Sequence, residues 1–300
     1  MRVCAHVQWA CDHTPIAHVY TRPSRVHRPA PASVLKLFVT GGAGYLGSEI
    51  CRLAADRGDE VLATRFRSTP AQGHAVDLDV RDAAAVERVL MRHGPDVVIH
   101  TAYVQHGDAM HETIVRGSHA VAAAAHRAGA RLLHLSTDLV FDGVHGAPYN
   151  EDDDPRPVMA YGAAKLEAER AVIRAHADAT LVRTSLLYGN PDGPQERLAL
   201  RHDVEFFTDE IRCPTRVDEL AAALLELAAK EHAGPLHLAA ADAVSRFDLA
   251  RALRAAAGAD PDAVRGGPGP AAGRAKNVAL DSSRAHALLG VALSGIGRSA

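Results

Sequence analysis

Hydrophobic and polar positions along this 300-residue chain alternate between two periods. Short β-forming runs at Leu35-Lys36-Leu37-Phe38-Val39, Glu60-Val61-Leu62-Ala63, His74 to Asp79, Asp96 to His100 and Leu132 to Ser136 are read as strands. Between them apolar residues recur at helical spacing, through Ile50, Leu53 and Ala54, then Val86, Val89 and Leu90, then Ile114, Val121 and Ala125. Gly58 closes the first of these helices and His93-Gly94-Pro95 the second. Strands alternating with helices predict an α/β fold, a Rossmann-type doubly wound parallel sheet. Further on, the pattern predicts a helix over Leu220 to Leu227, a strand at Pro235 to Leu238 and a helix over Phe247 to Leu253. A loop follows at Gly266 to Pro270, then a short helix over Ser282 to Leu289, capped by Gly290.

Composition narrows the classes. With 47% hydrophobic and 23% charged residues, the chain can bury a large core as one α/β domain or as a domain with a lobe. A net charge of −3 gives no nucleic-acid footprint, and the absence of any run of 18 apolar residues argues against a membrane span. Cys4, Cys11, Cys51 and Cys213 follow no disulfide framework, which fits a reduced, cytoplasmic setting. Residues 1–33 carry Arg2, Arg22, Arg25 and Arg28 among prolines without periodicity and are read as a mobile extension. The pairs Cys4/His6 and Cys11/His13 match no common zinc spacing, so no metal is expected.

Three glycines, Gly42, Gly44 and Gly47, follow the first strand at the spacing G-x-G-x-x-G and open a helix. In that context they let the backbone approach a pyrophosphate, which meets the positive end of the helix dipole. The second strand runs into Thr64-Arg65-Phe66-Arg67, with no acid to take a ribose 2′-OH. Arg65 and Arg67 suit a 2′-phosphate, so NADPH is favoured, with NAD still possible. Strand-end loops line the crevice of such a sheet, which puts Asp77 and Leu78 beside the adenine and Thr101, Ala102 and Tyr103 along the middle of the cofactor.

The fifth strand ends in Ser136-Thr137-Asp138, and Tyr161-Gly162-Ala163-Ala164-Lys165 opens a helix. Tyr161 and Lys165, four residues apart, share one helix face. An ammonium near a phenol lowers the phenol's pKa, so Tyr161 is expected to exchange a proton with a substrate oxygen that Thr137 could also hold.

Together, Thr40-Gly41-Gly42-Ala43-Gly44-Tyr45-Leu46-Gly47, Leu135-Ser136-Thr137-Asp138-Leu139-Val140-Phe141-Asp142-Gly143 and Tyr161-Gly162-Ala163-Ala164-Lys165 resemble the extended short-chain dehydrogenases/reductases. Within that superfamily the chain is most similar to the dTDP-4-dehydrorhamnose reductases. The likeness runs from about Val34 nearly to the end and takes in Arg183-Thr184-Ser185 and Asp209-Glu210-Ile211-Arg212-Cys213-Pro214-Thr215. It implies Thr137, Tyr161 and Lys165 as the catalytic trio, with Lys165 also holding the nicotinamide ribose. Gly41, Gly42, Gly44, Tyr45, Leu46 and Gly47 would form the phosphate loop, with Asp138 and Ser185 on the substrate.

On this reading residues 34–185 form the dinucleotide-binding domain, with later segments crossing back, and residues 186–300 mainly a substrate lobe. The expected activity is NADPH-dependent reduction of a keto group on a nucleotide-activated sugar, with a homodimer left open. Two departures stand out: Ile114 where the family often has Asn, and Leu186-Leu187 where a Trp is usual. The alternatives are a sugar-nucleotide epimerase or dehydratase, and a catalytically silent NADP-binding subunit resembling the regulatory subunit of methionine adenosyltransferase.

Overall fold

The computed structural model describes residues 34–66 and 68–296. The extension at 1–33, with its Cys/His pairs, and Arg67 lie outside the described residues.

The first half delivers the expected alternation: β1 (Lys36–Thr40), α1 (Tyr45–Arg57), β2 (Glu60–Arg65), β3 (His74–Asp77), α2 (Ala83–His93) and β4 (Val97–His100). Next comes one helical run in three parts, α3 (Ala109–His111), a π-helical turn (Glu112–Gly117) and α4 (Ser118–Arg127). β5 (Arg131–Thr137), α5 (Ala160–Ala175) and β6 (Thr180–Thr184) complete the pattern. β3 stops at Asp77, short of the expected Asp79. The reason is local: the Asp79 carboxylate accepts from the Arg81 N–H at 3.0 Å, and its carbonyl accepts from the Asp82 N–H, which turns the chain.

The chain then forms β7 (Leu187–Tyr188), α6 (Pro194–Ala199), β8 (Glu205–Phe207), β9 (Ile211–Arg212) and β10 (Thr215–Arg216). It returns to the sheet through α7 (Val217–Leu227) and β11 (Gly234–His237), and ends with β12 (Val244–Ser245), α8 (Arg246–Ala256), β13 (Arg265–Gly267) and α9 (Ser283–Leu288).

The central sheet has seven parallel strands in the order β11-β6-β5-β4-β1-β2-β3. Its period-2 pattern feeds two cores. Leu37 and Val39 point to one face, with Ile50 and Ala54 of α1 and Leu220 and Leu224 of α7. Phe38 points to the other, with Val86 and Leu90 of α2 and Val121 and Ala125 of α4. A smaller core of Tyr188, Phe206, Leu249 and Leu253 holds the segments after β6 together.

Two expectations are corrected. The glycine-rich stretch expected as a loop at Gly266 begins as a strand, because Arg265–Gly267 pairs in parallel with Glu205–Phe207. Gly266 sits so close to the Phe247 ring that a Cβ there would overlap it, so glycine serves the packing, not a turn. Gly290 does not cap α9: the helix ends at Leu288, and the Gly290 N–H donates to Glu226 Oε1 at 2.8 Å.

Candidate functional site

The glycine loop lies where β1 hands over to α1. Gly41 takes a φ of 69°, and a Cβ there would come within 2.9 Å of Thr101 Oγ1 and 3.0 Å of Ala102 N. Gly42 packs against Ala63, and Gly47 lies directly over the Gly41 carbonyl, which a Cβ would overlap. Gly44 is the N-cap of α1; no side chain caps it and the first turn carries no acid. Such an uncapped helix start attracts an anion, so the loop fits a dinucleotide pyrophosphate. Tyr45 and Leu46 begin the helix: Leu46 is buried in the first core, and the Tyr45 hydroxyl lies against Gly193 at the start of α6.

Hydrogen bonds lock this loop to β4. Thr40 Oγ1 accepts from the Thr101 and Ala102 N–H groups at 3.1 and 3.2 Å, so its own hydrogen goes to His100 Nδ1 at 2.7 Å. That assigns the remaining proton to His100 Nε2, 3.0 Å from Ser118 Oγ. Burial keeps this imidazole neutral, with its pKa pushed down to about 3. Thr101 and Ala102 therefore sit against the glycine loop as expected.

At the other end of the crevice, Arg65, Phe66, Asp77, Leu78, Asp79 and Asp82 line a cavity of about 300 Å³. Arg65 and Asp77, expected on different parts of the cofactor, are cross-strand partners at the last rung of β2 and β3. Arg65 Nε and Nη2 each donate to an Asp77 carboxylate oxygen at 2.7 Å.

Tyr161 and Lys165 occupy the first two turns of α5. Lys165 is buried, and its Nζ donates to the Leu135 carbonyl oxygen at 2.8 Å. Burial pulls its pKa down to about 8, opposed by the charge of Glu169 one turn further on. Glu169 is itself held by Arg183 at 2.9 and 3.1 Å and by Ser136. The half-exposed Tyr103 leans over this pair. Its ring centroid is 6.2 Å from that of Tyr161 and 5.4 Å from Lys165 Nζ. Ile114, in the π-helical turn, packs on Ala164 and Ala168 of α5 and against Tyr161. A π turn at such a position is a common feature of functional sites.

The expected lowering of the Tyr161 pKa is not what this environment produces. Desolvation pushes the phenol well above its usual range, the neighbouring Asp138 carboxylate adds to this, and only Arg212 opposes it. Lys165 is turned to the Leu135 carbonyl instead. Tyr161 is consequently a protonated phenol, the form that can give a proton.

Behind Tyr161 stands a buried charge network. Arg212 clamps the Asp138 carboxylate with Nε, at 2.7 Å, and Nη2. Ser185 Oγ donates to Asp138 Oδ2 at 2.6 Å, and Thr137 Oγ1 donates to Asp138 Oδ1 at 3.1 Å while accepting from the Leu139 N–H. Asp138 has no exposed surface, so its carboxylate meets the crevice only through these partners. Arg212 and Arg246 lie 3.4 and 3.6 Å from Glu210 Oε1, and Arg274 pairs with the other oxygen at 2.6 Å. Sequence reasoning quoted Arg212 only as part of a resemblance and missed Arg246, Arg274 and Glu169. A basic residue between apolar neighbours, as in Ile211-Arg212-Cys213, was the available signal for a buried ion pair. Among the described residues no group of three or more His, Cys, Asp or Glu is arranged to hold a metal.

The RmlD substrate binding domain family matches residues 35–295. A dTDP-4-dehydrorhamnose reductase of Mycobacterium tuberculosis is 38% identical over 247 residues, 77% of this chain and 78% of that one. The methionine adenosyltransferase 2 subunit beta of Bos taurus is 28% identical over 84% of this chain and 82% of its own. Among solved structures, a dTDP-4-dehydrorhamnose reductase from Clostridium acetobutylicum superposes with a TM-score of 0.75 at 28% identity, covering 88% of this chain and 96% of that one. Because that family match spans almost all the described residues, this chain belongs to the RmlD substrate binding domain family.

Proposed function

We propose that the protein is an NADPH-dependent reductase of a keto group on a nucleotide-activated sugar, with NADH as a second cofactor. The observation that carries this is the placement of Tyr161 one helical turn from Lys165, with its ring 6.2 Å from that of Tyr103 in the segment after β4. Bound there, a nicotinamide dinucleotide supplies the hydride that reduces the keto carbon. Tyr161 gives its phenolic proton to the keto oxygen, and Thr137 orients that oxygen by turning its hydroxyl to it from Asp138 Oδ1. Lys165 contributes a charge close to the reacting oxygen and a donor for the nicotinamide ribose. A protonated phenol is the form reduction requires, since the alkoxide that develops must be quenched in place.

In this proposal Gly41, Gly42, Gly44, Tyr45, Leu46 and Gly47 cradle the pyrophosphate, and Thr101, Ala102 and Tyr103 border the middle of the cofactor. Arg65, Arg67, Asp77 and Leu78 receive the adenosine end. Residues 34–185 hold the cofactor and residues 186–300 mainly the sugar nucleotide, apart from α7 and β11, which return to the sheet. Asp138 and Ser185 belong to the substrate side in this proposal, with Asp138 held by Arg212 and by the Ser185 hydroxyl. A cytoplasmic setting belongs to the same reading.

A regulatory reading is favoured by one observation, the relative named as a methionine adenosyltransferase subunit. Incubation with NADPH and a dTDP-4-keto-6-deoxy sugar, with product analysis, separates the readings. The proposal expects a sugar-nucleotide alcohol and one NADP⁺ per product. An epimerised or dehydrated sugar without net NADPH oxidation supports the epimerase or dehydratase reading. An unchanged substrate in the presence of tightly bound NADPH supports regulation.

A further inference from the structure

We infer that the Arg65–Asp77 pair is a cofactor-specificity device, in which the Asp77 carboxylate occupies the face of Arg65 that a ribose 2′-phosphate would need. This rests on the proposed reading that the crevice holds a nicotinamide dinucleotide.

The Nε/Nη2 edge of a guanidinium is one of the two edges that can grip an oxyanion with two parallel hydrogen bonds. In this protein that edge is filled by Asp77, at 2.7 Å from each nitrogen. Among the described residues, the third nitrogen, Nη1, has only Thr69 Oγ1 at 3.5 Å. The strand register enforces the pairing, because Arg65 and Asp77 are Cα partners on the last rung before both strands end at the cavity. The Leu78 N–H, donating to the Arg65 carbonyl at 3.0 Å, holds the two strand ends together beyond it.

Among the described residues, the other charges lining the cavity are the carboxylates of Asp79 and Asp82, which restore no cationic surface. Asp79 is taken by Arg81 at 2.6 Å, and Asp82 caps α2 by accepting from the Ala85 N–H at 2.9 Å. A 2′-phosphate near Arg65 must therefore displace the Asp77 carboxylate or sit beside it and be repelled. A ribose 2′-OH meets no such opposition and can donate to the same carboxylate. The arginine that reads in sequence as an NADPH signal is thus attenuated by a residue 12 positions away.

The test is calorimetric titration of NADPH and NADH into the full chain carrying Asp77→Asn, Asp77→Ala or Arg65→Ala, beside the native protein. Freeing an exposed guanidinium from an exposed carboxylate is expected to tighten NADPH about fivefold in both Asp77 variants. NADH should stay unchanged or weaken. Arg65→Ala, which leaves the Asp77 carboxylate unpaired, should weaken NADPH selectively and lower the NADPH-to-NADH affinity ratio. An unchanged NADPH-to-NADH ratio in both Asp77 variants, or an equal loss for both dinucleotides, overturns the inference and makes Asp77 a structural or adenosine contact. Native protein that binds neither dinucleotide overturns the proposed function itself, which keeps the two failures apart.

Discussion

The Nζ of Lys165 lies 2.8 Å from the carbonyl oxygen of Leu135, two residues before Thr137, in a pocket that leaves the lysine 5% exposed. The ammonium is thereby anchored to the strand whose end forms the site, and it stays there at the expense of hydration.

That expense has a definite pH signature. The folded pKa of about 8 is below the ordinary 10.5, so between those values the unfolded chain binds more protons than the folded one. Unfolding free energy therefore rises with pH across this window, and the penalty for burying the charge is fully present below pH 8. A shift of this size corresponds to about 3 kcal/mol. Lys165→Met should gain stability relative to the native chain at pH 7, and the gain should shrink towards pH 10.5. Urea denaturation of both proteins at several pH values checks this; a difference that does not vary with pH would contradict it.

Arg212 and Asp138 are each almost wholly buried, so removing Arg212 leaves Asp138 without a paired cation among the described residues, and removing Asp138 leaves Arg212 with only the more distant Glu210. Asp138→Ala and Arg212→Met should each lower stability by about 3–5 kcal/mol, while the double variant should lose much less than their sum. A double-mutant cycle in urea measures this; strict additivity would mean the pair is not coupled.

Gly47, in the first turn of α1, and Gly58, just past its last residue, give a contrast. An alanine at Gly47 meets the Gly41 carbonyl, whereas Gly58, with a φ of 85°, has nothing within 4 Å of its would-be Cβ. Gly58→Ala should cost only the left-handed backbone term of about 1–2 kcal/mol and leave dinucleotide affinity intact. Gly47→Ala should distort the loop and abolish measurable NADPH binding. Equal affinities in calorimetry would show that the loop does not cradle the pyrophosphate.

These relationships divide by how far apart in sequence their partners lie. The glycine loop, α1 with its Gly58 stop, and the Tyr161/Lys165 face were legible because their causes are local: a turn, a cap, a helical repeat. The Arg65–Asp77 and Asp138–Arg212 pairs were not, because parallel register and the docking of β9 bring together residues 12 and 74 positions apart. β13 was hidden by its glycines, which read as a turn until the Phe247 ring explains Gly266 and the Glu205 side chain Gly267. The π turn around Ile114 buries the consecutive residues Thr113, Ile114 and Val115, a run that no helical period marks. The Tyr161 pKa was misjudged for a related reason: helical spacing puts Lys165 nearby, but only the fold reveals that its ammonium points at Leu135 and that desolvation dominates.

The central claim is that Tyr161 donates the proton in reduction of a keto sugar nucleotide. The most direct measurement is NADPH oxidation, followed by absorbance, with enzymatically generated dTDP-4-keto-6-deoxy sugar, comparing the native chain with Tyr161→Phe and recording NADPH affinity for both. The account predicts native turnover that falls at least about 100-fold in the variant while NADPH affinity is unchanged. Undiminished turnover in Tyr161→Phe, or a native chain that binds NADPH tightly yet never oxidises it, would contradict it.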